Sequence, residues 1–134
     1  MADAKEKGIA LLSSTAAVDL DTTTTETNLY TVPAGKTCII THVVMRTLSA
    51  DATASTVSFG VAGVATEFRP TQTVHTNLDN SSTGEYGVVF MQQSTVETLE
   101  GGRMVDGGEI FVIKTVAAAS IGCTCTVDVF GYLF

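Results

Sequence analysis

The residues best suited to metal binding or nucleophilic chemistry are three cysteines and two histidines. Cys123 and Cys125 lie two positions apart, and on a β-strand this spacing places both thiols on one face, about 6–7 Å apart. That separation is too long for an unstrained disulfide, which leaves zinc as the sharper chemical possibility. A structural zinc site takes four ligands, so Cys38, His42, His75 or carboxylates would have to supply two more.

A packing role explains these cysteines better than a metal site does. Cys123 and Cys125 occupy the positions that Val127 and Val129 occupy farther along the same face, and a free cysteine packs as a small hydrophobic side chain. An odd number of cysteines is not a disulfide framework and is typical of a protein made in a reducing cytoplasm. We therefore expect all three, including Cys38, to be free thiols in or near the core, with no metal and no cofactor.

Neither histidine belongs to a recognisable catalytic motif. The chain has no Gly-x-Ser-x-Gly sequence and no glycine-rich phosphate loop. Triad residues can come from anywhere in a chain, so the sequence leaves a Ser-His-Asp or Cys-His arrangement open. His42 lies beside Ile40 and Val44 in an apparent strand, which favours a satisfied sheet histidine, and we place His75 on an exposed strand or loop. We predict no catalytic residues and a protein that is not an enzyme.

One acidic segment has the oxygen ligands that a calcium ion prefers. It runs from Asp79 to Glu85 but lacks the regular carboxylate spacing of a calcium-binding loop. We expect a surface loop there, and whether it binds a cation stays open.

Charge and length limit the class of protein. Seven basic residues against fourteen acidic ones give a net charge of −7, which disfavours nucleic acid as a partner because phosphate contacts need clustered Lys and Arg. The 134 residues, with 45% hydrophobic content, suit one globular domain. The apolar run from Gly8 to Val18 is interrupted by polar residues and is shorter than the ~20 residues that span a bilayer. We therefore expect neither a signal peptide nor a membrane partner.

The residue pattern predicts an all-β fold, an antiparallel β-sandwich. Turn residues recur roughly every ten positions, and the runs between them favour β-branched and aromatic residues. Alternation with a period of two marks half-buried strands. Three apolar faces of this kind are Ile121, Cys123, Cys125, Val127, Val129 and Leu133, then Val57, Phe59 and Val61, and lastly Tyr86, Val88 and Phe90.

Two segments, residues 37–48 and 109–116, are apolar on both faces of the expected strand. A chain of this size has one core, so we expect a partner subunit or an N-terminal arm to cover the second face. The interface candidates on these segments are Val44, Phe111 and Ile113. The pattern thus predicts a closed homo-oligomer, which we expect to be a trimer.

The N-terminal region has an apolar cluster followed by a threonine-rich stretch. We predict that residues 1–21 form an extended N-terminal arm or an edge strand, and that residues 22–134 form the sandwich. Ile9, Leu11 and Leu12 are the arm residues that we expect to bind a neighbouring subunit or a shell surface.

A faint internal repeat links two turns that each precede a strand. The segment from Val32 to Thr41 aligns with the segment from Val105 to Lys114, and the two share Val, Gly and Ile positions. Pro or Gly supplies the φ angle that such turns require. We interpret the pair as two equivalent corners of the sandwich, although chance explains the similarity about as well because the turn-strand pattern is common.

A family resemblance can be stated on these residues. The segment from Leu29 to Lys36, and the ending formed by Gly107 to Val112 and Cys125 to Tyr132, resemble small β-sandwich virion proteins of tailed bacteriophages. The resemblance covers about a third of the chain. It implies a jelly-roll-like capsid decoration or cement protein, or a neck or tail component, that is usually oligomeric. It implies no catalytic residues.

Function is therefore expected to come from assembly. The favoured hypothesis is a non-catalytic structural protein of a phage particle that decorates or cements the capsid shell. Its expected partners are further copies of itself and the major capsid protein or other virion proteins, and its expected location is the virion, assembled in the bacterial host cytoplasm. The alternatives are a neck or tail protein, a small carbohydrate-binding β-sandwich and an enzyme of an unrecognised type. The chain has no Trp and three Tyr, which is poor in the aromatic platforms that sugar binding uses.

Overall fold

The computed structural model describes residues 8–74, 87–91 and 103–134. These residues form nine β-strands and contain no helix long and apolar enough to cross a membrane. The strands are β1 (Ala10–Asp19), β2 (Glu26–Thr31), β3 (Thr37–Arg46), β4 (Thr56–Val61), β5 (Val64–Thr73), β6 (Gly87–Phe90), β7 (Arg103–Asp106), β8 (Ile110–Ala117) and β9 (Thr124–Leu133).

The strands form two antiparallel sheets. In sheet A the order is β1, β9, β3 and β6, with β7 also paired to β3, and in sheet B it is β2, β8, β4 and β5. The chain changes sheet at each connection except the β4–β5 hairpin and the step from β6 to β7. Two four-position sheets connected in this way form a jelly roll, so the predicted all-β antiparallel sandwich is confirmed.

The fourth position of sheet A is one edge strand in two pieces. β6 pairs with the second half of β3, from His42 to Met45, and β7 pairs with the first half, from Thr37 to Ile40. Both pieces run antiparallel to β3, so β7 continues the line of β6.

The core lies between the sheets. Phe59 and Phe68 flank Phe111, with ring centroids 6.1 and 5.9 Å from it. Burying each large apolar side chain contributes roughly 1.5–3 kcal/mol, so this cluster is a principal source of stability. The predicted inward faces of β9 and β4 are confirmed, because Cys125, Val127 and their alternate neighbours are buried, although Ile121 is 55% exposed and precedes β9.

A β-bulge explains why β3 looks apolar on both faces. The pairing with β9 shifts between Ile40 and His42, so Thr41 is an extra residue and the alternation reverses there. Cys38 and Ile40 face the core before the bulge, and the residues at 43 and 45 face it afterwards. The two apolar faces predicted for this strand are therefore two halves of one core face.

The apolar residues on both faces of β8 are likewise buried within the chain itself. Phe111 and Ile113 are 0% and 1% exposed and belong to the core, and Val112 between them is also fully buried. Phe111 and Ile113 are therefore unavailable to a partner in the folded chain, contrary to the expectation that they form an interface.

Residues 10–19 are the edge strand of sheet A, which replaces the idea of a detached arm for this part of the chain. β1 pairs with β9 from Ala10 opposite Gly131 to Asp19 opposite Thr124. Val18 and Leu20, at its end, are 1% and 0% exposed. This strand therefore belongs to the sandwich and contributes to its core.

The two corners predicted from the internal repeat are equivalent and adjacent. The amide of Lys36 donates to the Pro33 carbonyl at 3.1 Å, and the amide of Glu109 donates to the Asp106 carbonyl at 3.1 Å. The third residue of each turn is a glycine with positive φ, 78° at Gly35 and 87° at Gly108, as a type II turn requires. The Gly108 amide also donates to the Val32 carbonyl at 2.8 Å, which joins the corners and confirms the interpretation.

Candidate functional site: the outer face of sheet A

The three cysteines lie inside the sandwich, where their thiols have low reactivity. Cys38, Cys123 and Cys125 are free and buried. Burial raises the pKa of Cys38 to about 11 and, with a smaller contribution from the neighbouring Cys123, that of Cys125 to about 12. Such thiols carry almost no thiolate at neutral pH. Within residues 8–74, 87–91 and 103–134 no three His, Cys, Asp or Glu side chains cluster as a metal site would require.

His42 lies on the opposite side of the sheet from these thiols. The bulge at Thr41 turns its ring outward, where it stacks on Phe130 at a centroid distance of 4.8 Å and lies 5.8 Å from the Phe90 ring. His42 therefore forms no Cys-His pair with these thiols, because the sheet separates the groups. His75 and the Asp79–Glu85 segment lie outside the described residues.

One ring nitrogen of His42 has a local hydrogen-bond partner. The Thr41 hydroxyl donates to the Phe130 carbonyl at 3.1 Å and lies 3.0 Å from His42 Nδ1. Because a hydroxyl has one proton, this arrangement makes the hydroxyl the acceptor from Nδ1–H. Burial lowers the pKa of His42 from its ordinary value, so the neutral ring is the favoured form at neutral pH.

Ser14 and Asp128 share the outer face with His42 but are not arranged as a catalytic triad. Ser14 donates directly to Asp128 Oδ1 at 2.5 Å, whereas a triad places the histidine between the hydroxyl and the carboxylate. Asp128 also accepts from Arg46 Nε at 2.7 Å. The Asp128 carboxylate is thus held in hydrogen bonds with Ser14 and Arg46.

An apolar row crosses the whole outer face. Leu11 on β1 is opposite Phe130 on β9, which is opposite His42 on β3, which is opposite Phe90 on β6. The two ends of the row are the most open, since Leu11 is 55% and Phe90 60% exposed. Directly opposed side chains on one face touch, so the row is continuous.

Parallel rows extend the apolar surface on both sides. Tyr132, Ile39 and Met104 are opposed in one row, and Met104 is 60% exposed. Val44 and Val88 are opposed in the other, and Val88 is 41% exposed. We call the apolar and aromatic residues of these three rows, with His42 at their centre, the outer-face patch.

A charged cluster ends the patch on one side. Arg46 and Asp128 form an ion pair with side chains 44% and 12% exposed. Burial of Asp128 would raise its pKa, but hydrogen bonds from Arg46 and Ser14 outweigh that effect and lower it. The carboxylate therefore stays ionised at neutral pH, and its charge is balanced within the chain.

The patch is as large as the largest apolar patches of ordinary monomers, which are often functional. With Ile9 at the start of β1 included, five large side chains that are about half exposed present on the order of 500 Å² of apolar surface. The largest patch on an ordinary monomer is about 300–600 Å² and is often functional. The one carboxylate in its rows, Asp128 opposite Val44, is paired with Arg46 within the chain. A surface this apolar is suited to bind another apolar protein surface.

The predicted interface residues fall into three groups. Ile9 and Leu11 are 49% and 55% exposed, and Val44 is half-buried on the patch. Leu12 is partly buried against the core, and Phe111 and Ile113 lie inside it. Whether Ile9, Leu11 and Val44, the three that lie on the outer face, bind a partner stays a prediction.

Phe90 and Met104 are the most exposed members of the patch, and the sequence reasoning did not select them. Val88 and Phe90 were predicted to face the core, but Val89 faces it and they point outward. A four-residue strand is too short for its alternation to show which face is buried. The pairing with β3 decides the matter, since Phe90 lies opposite the outward-facing His42.

Comparisons with known proteins give one structural similarity. No protein-family model matches the chain, and no curated protein matches it. The fold is similar to that of a chain in the acidic stable capsid structure of Helicobacter pylori bacteriophage KHP30, with a TM-score of 0.54 over 94% of this chain and 92% of that one. At 14% sequence identity this likeness establishes a shared fold.

Proposed function

We propose that the chain is a non-catalytic structural protein of a phage particle that decorates and cements the capsid shell as a homo-oligomer, with a trimer as the expected size. The observation that carries the proposal is the outer-face patch, a mainly apolar surface whose one ion pair, Arg46 with Asp128, is formed within the chain. Such a surface lowers its free energy by burial against another protein, at roughly 25 cal/mol per Å².

The fold supports a particle component. Jelly rolls occur in viral capsid proteins and also in lectins, so the architecture alone does not choose between them. The similar chain comes from a phage capsid structure, which favours the first use. A neck or tail protein would use the same kind of surface, and the location on the particle is decided by experiment.

The carbohydrate-binding alternative fits the outer face less well. Sugars are held by an aromatic ring with hydrogen-bonding groups beside it. Among the described residues, the exposed ring of Phe90 has Val88 and Met104 as open neighbours, and neither offers such a group. The imidazole of His42 lies opposite Phe90 but is half-buried and stacked on Phe130. Tyr132 is half-buried in the sheet.

Electron microscopy of the phage particle tests the proposal directly. We expect density of this jelly roll at regular positions on the outside of the capsid shell. Density at the neck or tail would replace the decoration role with the alternative. A particle that lacks the protein, together with a purified protein that does not bind shells, would overturn the proposal.

A further inference from the structure

We infer that the outer-face patch is the surface through which copies of this chain contact one another. The inference rests on the proposed function, because it takes the homo-oligomer proposed there and assigns the contact between its subunits to a particular surface. It names the occupant of the patch as a second copy of this chain, and three properties of the molecule support that choice.

The first property is charge. Each copy carries a net charge of −7, so two copies repel wherever their acidic surfaces meet. The central row and the row of Ile39 contain no ionised side chain, and His42 in the central row is favoured as the neutral ring. The third row contains one, Asp128, opposite Val44. The ion pair of Arg46 and Asp128 at its border is satisfied within one copy. Two such faces can therefore meet without placing like charges together.

The second property is area. The five most exposed side chains present about 500 Å², and the half-buried Ile39, Val44 and Tyr132 between them add to it. A standard protein interface buries about 800 Å² on each partner. The patch therefore supplies most of what one side of a specific interface needs. Its composition of Phe, Tyr, Met and aliphatic residues is that of an interface core.

The third property is that the sheet edges discourage association by strand addition. β5, an edge of sheet B, contains Pro70, which cannot donate to a neighbouring strand. β1 has two irregularities in its pairing and a residue of positive φ, Ala17 at 56°. The other edge of sheet A is the interrupted pair β6 and β7. The other edge of sheet B is β2, whose pairing with β8 shifts register between Asn28 and Tyr30. Because bulged, interrupted and proline-bearing edges are poor templates, a face remains as the route to self-association.

Sedimentation velocity on the full chain provides the test. The wild-type protein is measured from about 1 to 200 μM beside Phe90→Ser and Leu11→Ser, which remove the two open ends of the central row. Val64→Ser is the matched control, because Val64 is 53% exposed but lies on sheet B. Thermal melts of all four proteins at low concentration show that each variant is folded.

We expect the wild type and Val64→Ser to associate alike, and Phe90→Ser and Leu11→Ser to raise the dissociation constant by about 10- to 30-fold, as truncation of a central interface residue does. A wild type that is monomeric throughout the range overturns the inference. Association that all three variants share with the wild type overturns it too.

Binding of the same proteins to capsid shells separates this inference from the proposed function. Shell binding by a monomeric wild type, lost in Phe90→Ser, would assign the patch to a shell subunit and overturn self-contact while leaving the decoration role intact. Self-association through the patch without any shell binding would uphold the inference and remove the decoration role.

Discussion

Gly131 on β9 and Ile39 on β3 approach so closely that a Cβ atom on Gly131 would lie 2.0 Å from the Ile39 carbonyl oxygen. This contact is located where β3 bulges, since the register between the strands shifts just after Ile40 opposite Gly131. The absence of a side chain at position 131 thus permits the strand geometry that turns His42 outward.

We expect Gly131→Ala to destabilise the fold by about 2–4 kcal/mol, because the atom it must displace belongs to the backbone and cannot swing aside. Gly122→Ala is the matched control, since a Cβ there meets nothing within 4 Å. Urea unfolding of both variants measures the difference. Equal midpoints for Gly131→Ala and the parent would show that the strands can separate at this point at little cost.

The bulge also shows what could be predicted from sequence in this protein. The alternation of β9 and β4 specified their inner faces, and the glycines at 35 and 108 specified two equivalent corners, because these are local properties of the chain. The inserted residue at Thr41 has no comparable local signal. It exists because β3 must satisfy its pairing with β9, a partner more than eighty residues away.

The outer-face patch could not be predicted from the sequence for the same reason. Without the bulge, Ile39 and His42 fall on opposite faces of β3, and the outer rows cannot be assembled. Leu11 was selected because the N-terminal cluster is visibly apolar, but its place beside Phe130 depends on the pairing of β1 with β9. Surface patches are made by neighbouring strands, and their neighbours are set by topology.

The ion pair at the border of the patch predicts a pH dependence of stability. The pKa of Asp128 is lowered below its ordinary 3.8 in the folded chain, so the folded state binds protons less readily than the unfolded one. Its stabilising effect is fully present above pH 3.8 and is lost as the pH falls through the lowered value. We expect Asp128→Asn to be less stable than the parent at pH 7, with the difference vanishing in strong acid.

Chemical denaturation at several pH values measures this effect, and Arg46→Gln serves as the paired variant. Since the hydrogen bond from Arg46 is the largest effect that lowers the Asp128 pKa, the double variant should lose less stability than the sum of the single ones. Additive losses, or an Asp128→Asn deficit that does not shrink as the pH is lowered into strong acid, would contradict the interaction.

The buried thiols predict tolerance of an apolar replacement. A double variant Cys123→Val and Cys125→Val should fold at a cost under about 1.5 kcal/mol, because valine is close to cysteine in volume and suits an apolar strand face. The change removes two weak polar contacts of Cys123 Sγ, with the Ala50 carbonyl at 3.3 Å and with the Thr124 carbonyl at 3.8 Å.

Thiol reactivity and metal content check the same point. Native protein should react slowly with a disulfide reagent at pH 8, since the pKa of Cys38 and Cys125 is about 11 and about 12. Elemental analysis should find no stoichiometric zinc. Rapid labelling of folded protein, or a double variant whose folding fails while added zinc restores the parent, would show that the thiols are exposed or metal-bound.

The place of β1 in the sandwich leads to the last prediction. Deleting residues 1–21 removes the strand that pairs with β9 and takes Val18 and Leu20 out of the core. A detached arm could be deleted without harm to the fold, whereas loss of β1 should prevent folding.

Two point variants make the same distinction with the strand in place. Val18→Ser should cost about 2–4 kcal/mol because it leaves a hydroxyl and a cavity in the core. Leu11→Ser, on the same strand but 55% exposed, should change the unfolding free energy by less than about 0.5 kcal/mol in dilute solution. A truncated chain with a cooperative melt at the parent temperature, or a Val18→Ser variant as stable as Leu11→Ser, would show that β1 is dispensable to the sandwich.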